Sequence, residues 1–148
     1  MAQATAPEVR LHVYRRFLED GSPPSVADVA DALGISSDAA EAAFRELEAG
    51  RVLVFEPGTL DIWMANPLCA RSTGFRVSTA SGSWWGTCVW DAFGIPAMLD
   101  EDAVIATVDP TTREPIELRI EGRELAPTEA IAHFSVPARH WWDDIGYS

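Results

Sequence analysis

The chain has 148 residues, 47% hydrophobic and 23% charged, with 11 basic against 23 acidic side chains and a net charge of −12. No apolar run is long enough to cross a bilayer and no charged, cleavable apolar leader opens the sequence, which predicts a soluble cytoplasmic protein without a membrane partner. The acidity is spread evenly, −6 over residues 1–64 and −6 over residues 65–148, so polyanionic partners are disfavoured throughout.

The first predicted helix is "APEVRLHVYRRFLEDG", with Val9, Val13 and Phe17 beside Leu11, Tyr14 and Leu18 on a broad apolar face. Gly21 and Pro23-Pro24 stop it. Ser25 stands where an N-cap belongs, with Asp28 three residues on, and Val26, Val29, Ala30 and Leu33 form the stripe of a second helix. A third runs from about Ser37, with Ala40, Ala43, Phe44 and Leu47 inward and Gly50 as its stop. "RVLVFEPGTLDIWM" then reads as strand, Pro-Gly turn, strand. Three helices followed by a hairpin predict a winged-helix-like domain over residues 1–64. A DNA-reading role conflicts with its third helix, where Asp38, Glu41, Glu46 and Glu48 face Arg45 alone, because phosphate neutralisation supplies most non-specific affinity. Packing or dimerisation suits that domain better.

"ANPLCARSTG" is a breaker-rich linker opening the second half, residues 65–148. "FRVS", "AVIATV", "IELRI" and "IAHFSV" are strand candidates separated by turn material. The predicted fold class is therefore α+β: a winged-helix-like three-helix domain, then a small mixed β-sheet domain carrying one helix.

That helix lies in "SWWGTCVWDAFGIP", residues 83–96. With Thr87 as its cap, Cys88 falls in the first turn, and Cys88, Asp91, Ala92 and Ile95 share one face. A helix N-terminus favours the thiolate, while a neighbouring anion opposes it. Asp91, set among Trp84, Trp85 and Trp90, would hold a proton if buried. A soft nucleophile then sits beside a proton donor. The same residues also suit an ordinary buried cysteine and a helix-start carboxylate, with the tryptophans as core.

"WWGTCVWDAFGIPAML" resembles the active-site helix of the organomercurial (alkylmercury) lyases, with Cys-x-x-Asp followed by Gly94-Ile95-Pro96. "NPLCARSTGFRV" and "HFSVPARHWWDDI" are similar to the family more loosely, and the likeness extends over nearly the whole chain. It implies a winged-helix-like domain followed by a lyase-type sheet domain, and protonolysis of a carbon–mercury bond to hydrocarbon and Hg(II). Cys88 would bind mercury as thiolate and Asp91 would relay a thiol proton to the departing carbon. No cofactor is implied: mercury is substrate and product, and the partners are a small organomercurial or other thiol-reactive ligand and small thiols.

The family's second mercury-binding cysteine aligns immediately after Ser148, and the family's last strands follow it. Three explanations stand side by side: a truncated piece, a natural short homologue of altered function, or replacement of the missing thiol by Cys69, which would make Cys69 a second metal ligand. An uncovered sheet edge at "IGYS" predicts either a homodimer through the C-terminal half or marginal stability. The alternatives to a lyase are a catalytically degenerate module that captures a soft metal or ligand, and a winged-helix transcriptional regulator.

Other candidates are weaker. His12, His133 and His140 form no HxxxH pattern. Asp143-Asp144 and Asp100, Glu101 and Asp102 read as solvated loop charge. Ser72 and Ser81 lack a nucleophile elbow or a base.

Overall fold

The computed structural model describes residues 5–146. Helix α1 spans Ala6–Asp20, α2 Val26–Leu33 and α3 Ser37–Ala49. Each start has a local cause. Ser25 caps α2 by accepting the Asp28 N–H at 3.2 Å, while its own N–H donates to the Asp28 carboxylate at 2.8 Å. Ser36 caps α3 by accepting the Ala39 N–H. Gly21 and Gly34 end α1 and α2 in the left-handed conformation, which glycine adopts without strain. The buried faces are the expected ones, Val9, Val13 and Phe17 on α1 and Ala40, Ala43, Phe44 and Leu47 on α3. Leu11 differs: it lies at the edge of its stripe and is 51% exposed.

Eight strands follow: β1 Leu53–Phe55, β2 Ile62–Ala65, β3 Leu68–Cys69, β4 Phe75–Thr79, β5 Ser83–Gly86, β6 Ala103–Val108, β7 Pro115–Glu121 and β8 Glu124–Leu125. They form one sheet in the order β1-β2-β3-β5-β4-β6-β7-β8. Every pairing is antiparallel, so the mixed sheet expected from the sequence is an antiparallel one. Short connections explain the pairs of consecutive strands, since tight turns join antiparallel neighbours whereas parallel strands need long crossovers. Helix α4, Val89–Leu99, lies between β5 and β6 in the chain and packs on β4 and β5.

The hairpin of β1 and β2 is the continuation of the sheet built from residues 68–125. The expected boundary after residue 64 falls inside β2. Hydrophobic side chains of α1, α3, β1, β3, β4, α4 and β6 join in one buried cluster, with Phe44 stacked on Phe55 at 5.9 Å. Burial of this kind is the main stabilising contribution.

Two further expectations change. The linker "ANPLCARSTG" contains β3, whose Cys69 pairs with Trp85. "IAHFSV" forms no strand, and Ile131 is 91% exposed. Its alternating pattern fits a pleated surface but supplies no partner. Instead residues 126–146 run along the outside. Trp141 meets Phe134 at 5.3 Å and the edge of Trp90 at 6.5 Å, and Arg51 sits over the Trp142 ring at 5.2 Å. The strands at the sheet's two ends are β1 and β8; the last two residues of "IGYS", where an uncovered edge was expected, lie outside the described residues. Among those residues, no helix is long and apolar enough to cross a membrane.

Candidate active site

Strand β5 ends at Gly86, and the chain turns at once into α4. A Cβ placed on Gly86 would stand 2.8 Å from the Ala92 nitrogen and 3.1 Å from its Cα, so only glycine lets the strand end press on the helix backbone. Cys88, not Thr87, is the N-cap. Its backbone is extended, with φ −140° and ψ −176°, and its carbonyl accepts the first helical bond, from the Ala92 N–H at 2.9 Å. The Thr87 hydroxyl oxygen is buried and closes no hydrogen bond.

Cys88 is half-buried. Burial pushes its thiol up, and the Asp91 charge adds to this, while the N–H groups of Asp91 and Trp90 favour the thiolate. Those N–H groups approach the sulfur without making a full cap hydrogen bond. The balance anticipated from a helix N-terminus therefore falls on the protonated side. Asp91, also half-buried, has its carboxyl pushed up to about 6 by burial, against the opposing influence of the Thr87 hydroxyl and N–H. An acid in that range carries a proton often enough near neutrality to deliver it.

Cys69 is buried in β3, 2% exposed. Burial pushes its thiol up, opposed by the Arg71 N–H, the Thr87 hydroxyl, Trp63 and the Arg71 charge. Thr87 thus lies close to both Cys69 and Asp91, although its hydroxyl has no well-formed bond to either. Both cysteines are free. From the N-terminal half, the Tyr14 hydroxyl donates to the Asn66 carbonyl at 2.6 Å. Its phenol is pushed up by burial, opposed by Arg10, and raised further by the Asp91 charge. Thr87 was expected here only as the helix cap, and Tyr14 was not expected here at all. Tyr14 reads as one more apolar position of a helix face, and Gly86 next to Thr87 is the one local sign of close packing.

The remaining candidates lie elsewhere. His12 borders a surface groove between α1 and α2, and His133 lines an apolar cavity of about 300 Å³ on the Val89 and Phe93 side of α4. His140 pairs with Asp143 at 2.8 Å. The acidic loop is more than solvated charge: Asp100 makes a two-pronged pair with Arg123, Glu101 accepts the Ser81 N–H and hydroxyl, and Asp102 accepts the Gly122 N–H at 2.7 Å. Among the described residues no group of three or more His, Cys, Asp or Glu is placed to hold a metal ion.

Fold and site together define an α+β protein whose helix α4, packed on the sheet, starts with a thiol and a readily protonated carboxyl. The alkylmercury lyase (MerB) family model matches residues 68–147, more than half of the chain, and the chain belongs to that family. Among solved structures, the mercury-bound form of MerB2 is similar to it with a TM-score of 0.65 and 19% identity, over 87% of this chain and 61% of that one. The chain thus spans about three fifths of that protein's length. No curated protein matches.

Proposed function

We propose that this chain cleaves carbon–mercury bonds, with Cys88 as the mercury-binding thiol and Asp91 as the proton relay. The observation that carries the reading is the Asp91 carboxyl, pushed up to about 6 three residues from a half-buried Cys88 at the same helix start. An organomercurial R–Hg–X exchanges X⁻ for the Cys88 sulfur, and the thiol proton passes to the Asp91 carboxylate. Asp91 then gives this proton to the carbon bound to mercury. The C–Hg electron pair becomes the new C–H bond, R–H leaves, and Hg(II) stays on the Cys88 sulfur. Small thiols in solution complete the turnover by taking the metal. A soft thiolate suits a soft metal, and the carbon needs an acid close by. Mercury enters as substrate and leaves as product, so no cofactor takes part.

Incubation with phenylmercury or methylmercury and excess small thiol should release benzene or methane. Product no higher than that of Cys88→Ala would sink the reading.

A second reading is favoured by the thiols themselves, both of which burial holds in the protonated state. On this reading the protein captures a soft metal without turnover, with Cys69 as the second ligand. It predicts Hg(II) retained through dialysis, reduced in Cys69→Ala, and no hydrocarbon. Turnover by Cys69→Ala at the wild-type rate would remove Cys69 from the chemistry.

A further inference from the structure

Helix α1 reaches the candidate site at two points. The Tyr14 hydroxyl donates to the Asn66 carbonyl at 2.6 Å, and the carbonyl of Leu18, one turn further along α1, accepts the Trp84 indole N–H at 3.3 Å. Both receiving segments touch α4. Pro67, next to Asn66, packs on Gly94, where an added Cβ would stand 3.0 Å from the Pro67 Cβ. Trp84 is two residues before Gly86, whose backbone presses on Ala92. The stretch from Gly86 to Gly94, which carries Thr87, Cys88 and Asp91, is therefore held near both ends by contacts that trace back to one face of α1.

We infer that Tyr14 is a positioning residue for the Cys88 and Asp91 pair, acting through the Asn66 carbonyl and Pro67 on the backbone of α4. The inference rests on the reading of that pair as the reacting groups. Tyr14 is separated from Asn66 by 52 positions, so the link joins the helical half of the chain to the site-bearing half. Its chemistry suits a strut more than a participant. A neutral phenol donating to a backbone carbonyl fixes a loop, and its short distance marks a well-made bond. The α4 start makes no cap hydrogen bond on sulfur, and Pro96, towards the other end of the helix, removes one further N–H donor. An outside strut is what keeps a thiol and an acid within reach of one mercury-bound carbon, where small displacements cost rate steeply.

The test is Tyr14→Phe, which keeps the ring and removes only the donor, with Arg15→Ala, an exposed change on the same helix, as control. Two readouts are taken on the full chain: steady-state cleavage of phenylmercury, and amide hydrogen exchange resolved by element. In Tyr14→Phe we expect kcat to fall about tenfold with KM within about twofold. Protection of the amides of residues 92–95 should fall about tenfold while that of β6 and β7 is unchanged, and Arg15→Ala should match the wild type in both. Unchanged protection in α4, or an equal loss across helix and sheet, would overturn the inference. So would a rise in KM at constant kcat. If the wild type releases no hydrocarbon, the lyase reading fails by itself and the exchange pattern still decides whether Tyr14 positions α4.

Discussion

Helices α2 and α4 both begin with a cap residue followed three positions later by an aspartate, Ser25 and Asp28 in one, Cys88 and Asp91 in the other. At α2 the box is closed. Oxygen accepts the Asp28 N–H, the carboxylate accepts the Ser25 N–H and hydroxyl, and these bonds hold the Asp28 carboxyl below its usual value in full contact with water. At α4 the cap atom is sulfur, a weak acceptor, and no cap hydrogen bond forms. The carboxyl is buried beside Thr87 and pushed up to about 6. The same spacing therefore gives a stabilising cap in one place and, in the other, a carboxyl that keeps its proton to a higher pH. What differs is the cap atom and the access of water.

The sharpest way to break this comparison is Asp91→Asn. If Asp91 relays the proton, hydrocarbon release should fall by about 10²–10⁴-fold. Stability should move in the opposite direction. The carboxyl ionises near its ordinary value of 3.8 in the unfolded chain and at about 6 when folded. As pH rises between these values the unfolded state loses its proton first, so wild-type stability falls through this window and is flat above it. Asparagine does not titrate. The variant's Tm should match that of the wild type near pH 4 and exceed it by about 4 to 8 °C above pH 7, for a difference on the order of 2 kcal/mol. Melting curves at four pH values check this, and a gap that shrinks as pH rises would refute the buried-acid account.

A smaller change, Cys88→Ser, should convert the α4 start into a copy of the α2 start. The hydroxyl oxygen can accept the Asp91 N–H as Ser25 accepts that of Asp28. The helix should gain about 1 to 2 kcal/mol, the Asp91 carboxyl should titrate below 6, and mercury capture should disappear. Carboxyl titration by NMR together with melting tests it. A serine variant less stable than the wild type, or with Asp91 still near 6, would show that burial alone sets the carboxyl and the cap atom is irrelevant.

The contrast also explains what could be read from the sequence. Ser25 with Asp28, Gly21 and Gly34 are local signals, and they placed α1 and α2 correctly because caps and stops act within one turn. The Cys88 and Asp91 pair was legible as spacing, and the family likeness rested on it. Its cap position was not, since Thr87 is the better cap by type, yet the helix starts one residue later with Cys88 in the extended cap conformation. Strand β3 and the Tyr14 strut depend on partners far along the chain, Trp85 for Cys69 and Asn66 for Tyr14. The "IAHFSV" stretch has the alternation of a strand and pairs with none. Local chemistry was visible; the water access that tunes Asp91 is a property of the assembled core.

The smallest expected effect is at the other helix. Ser25→Ala removes the oxygen that accepts the Asp28 N–H but leaves the Ser25 backbone N–H in place to hold the carboxylate. Loss of a solvent-exposed cap should lower Tm by about 2 to 4 °C near neutrality. The pH signature has the opposite sign to that of Asp91. A carboxyl held below its usual value stabilises the fold above about pH 4, and that contribution is lost as pH falls through the folded-state titration. The gap between wild type and Ser25→Ala should therefore be full at pH 7 and narrow only as pH falls below the ordinary carboxyl value of 3.8 and through the lowered titration of folded Asp28. Organomercurial cleavage should be unchanged, because nothing at Ser25 touches α4. A Ser25→Ala gap that stays undiminished down to the acid end of the folded range would mean that Asp28 adds nothing to the cap. The difference between the two aspartates would then rest on the desolvation of Asp91 alone.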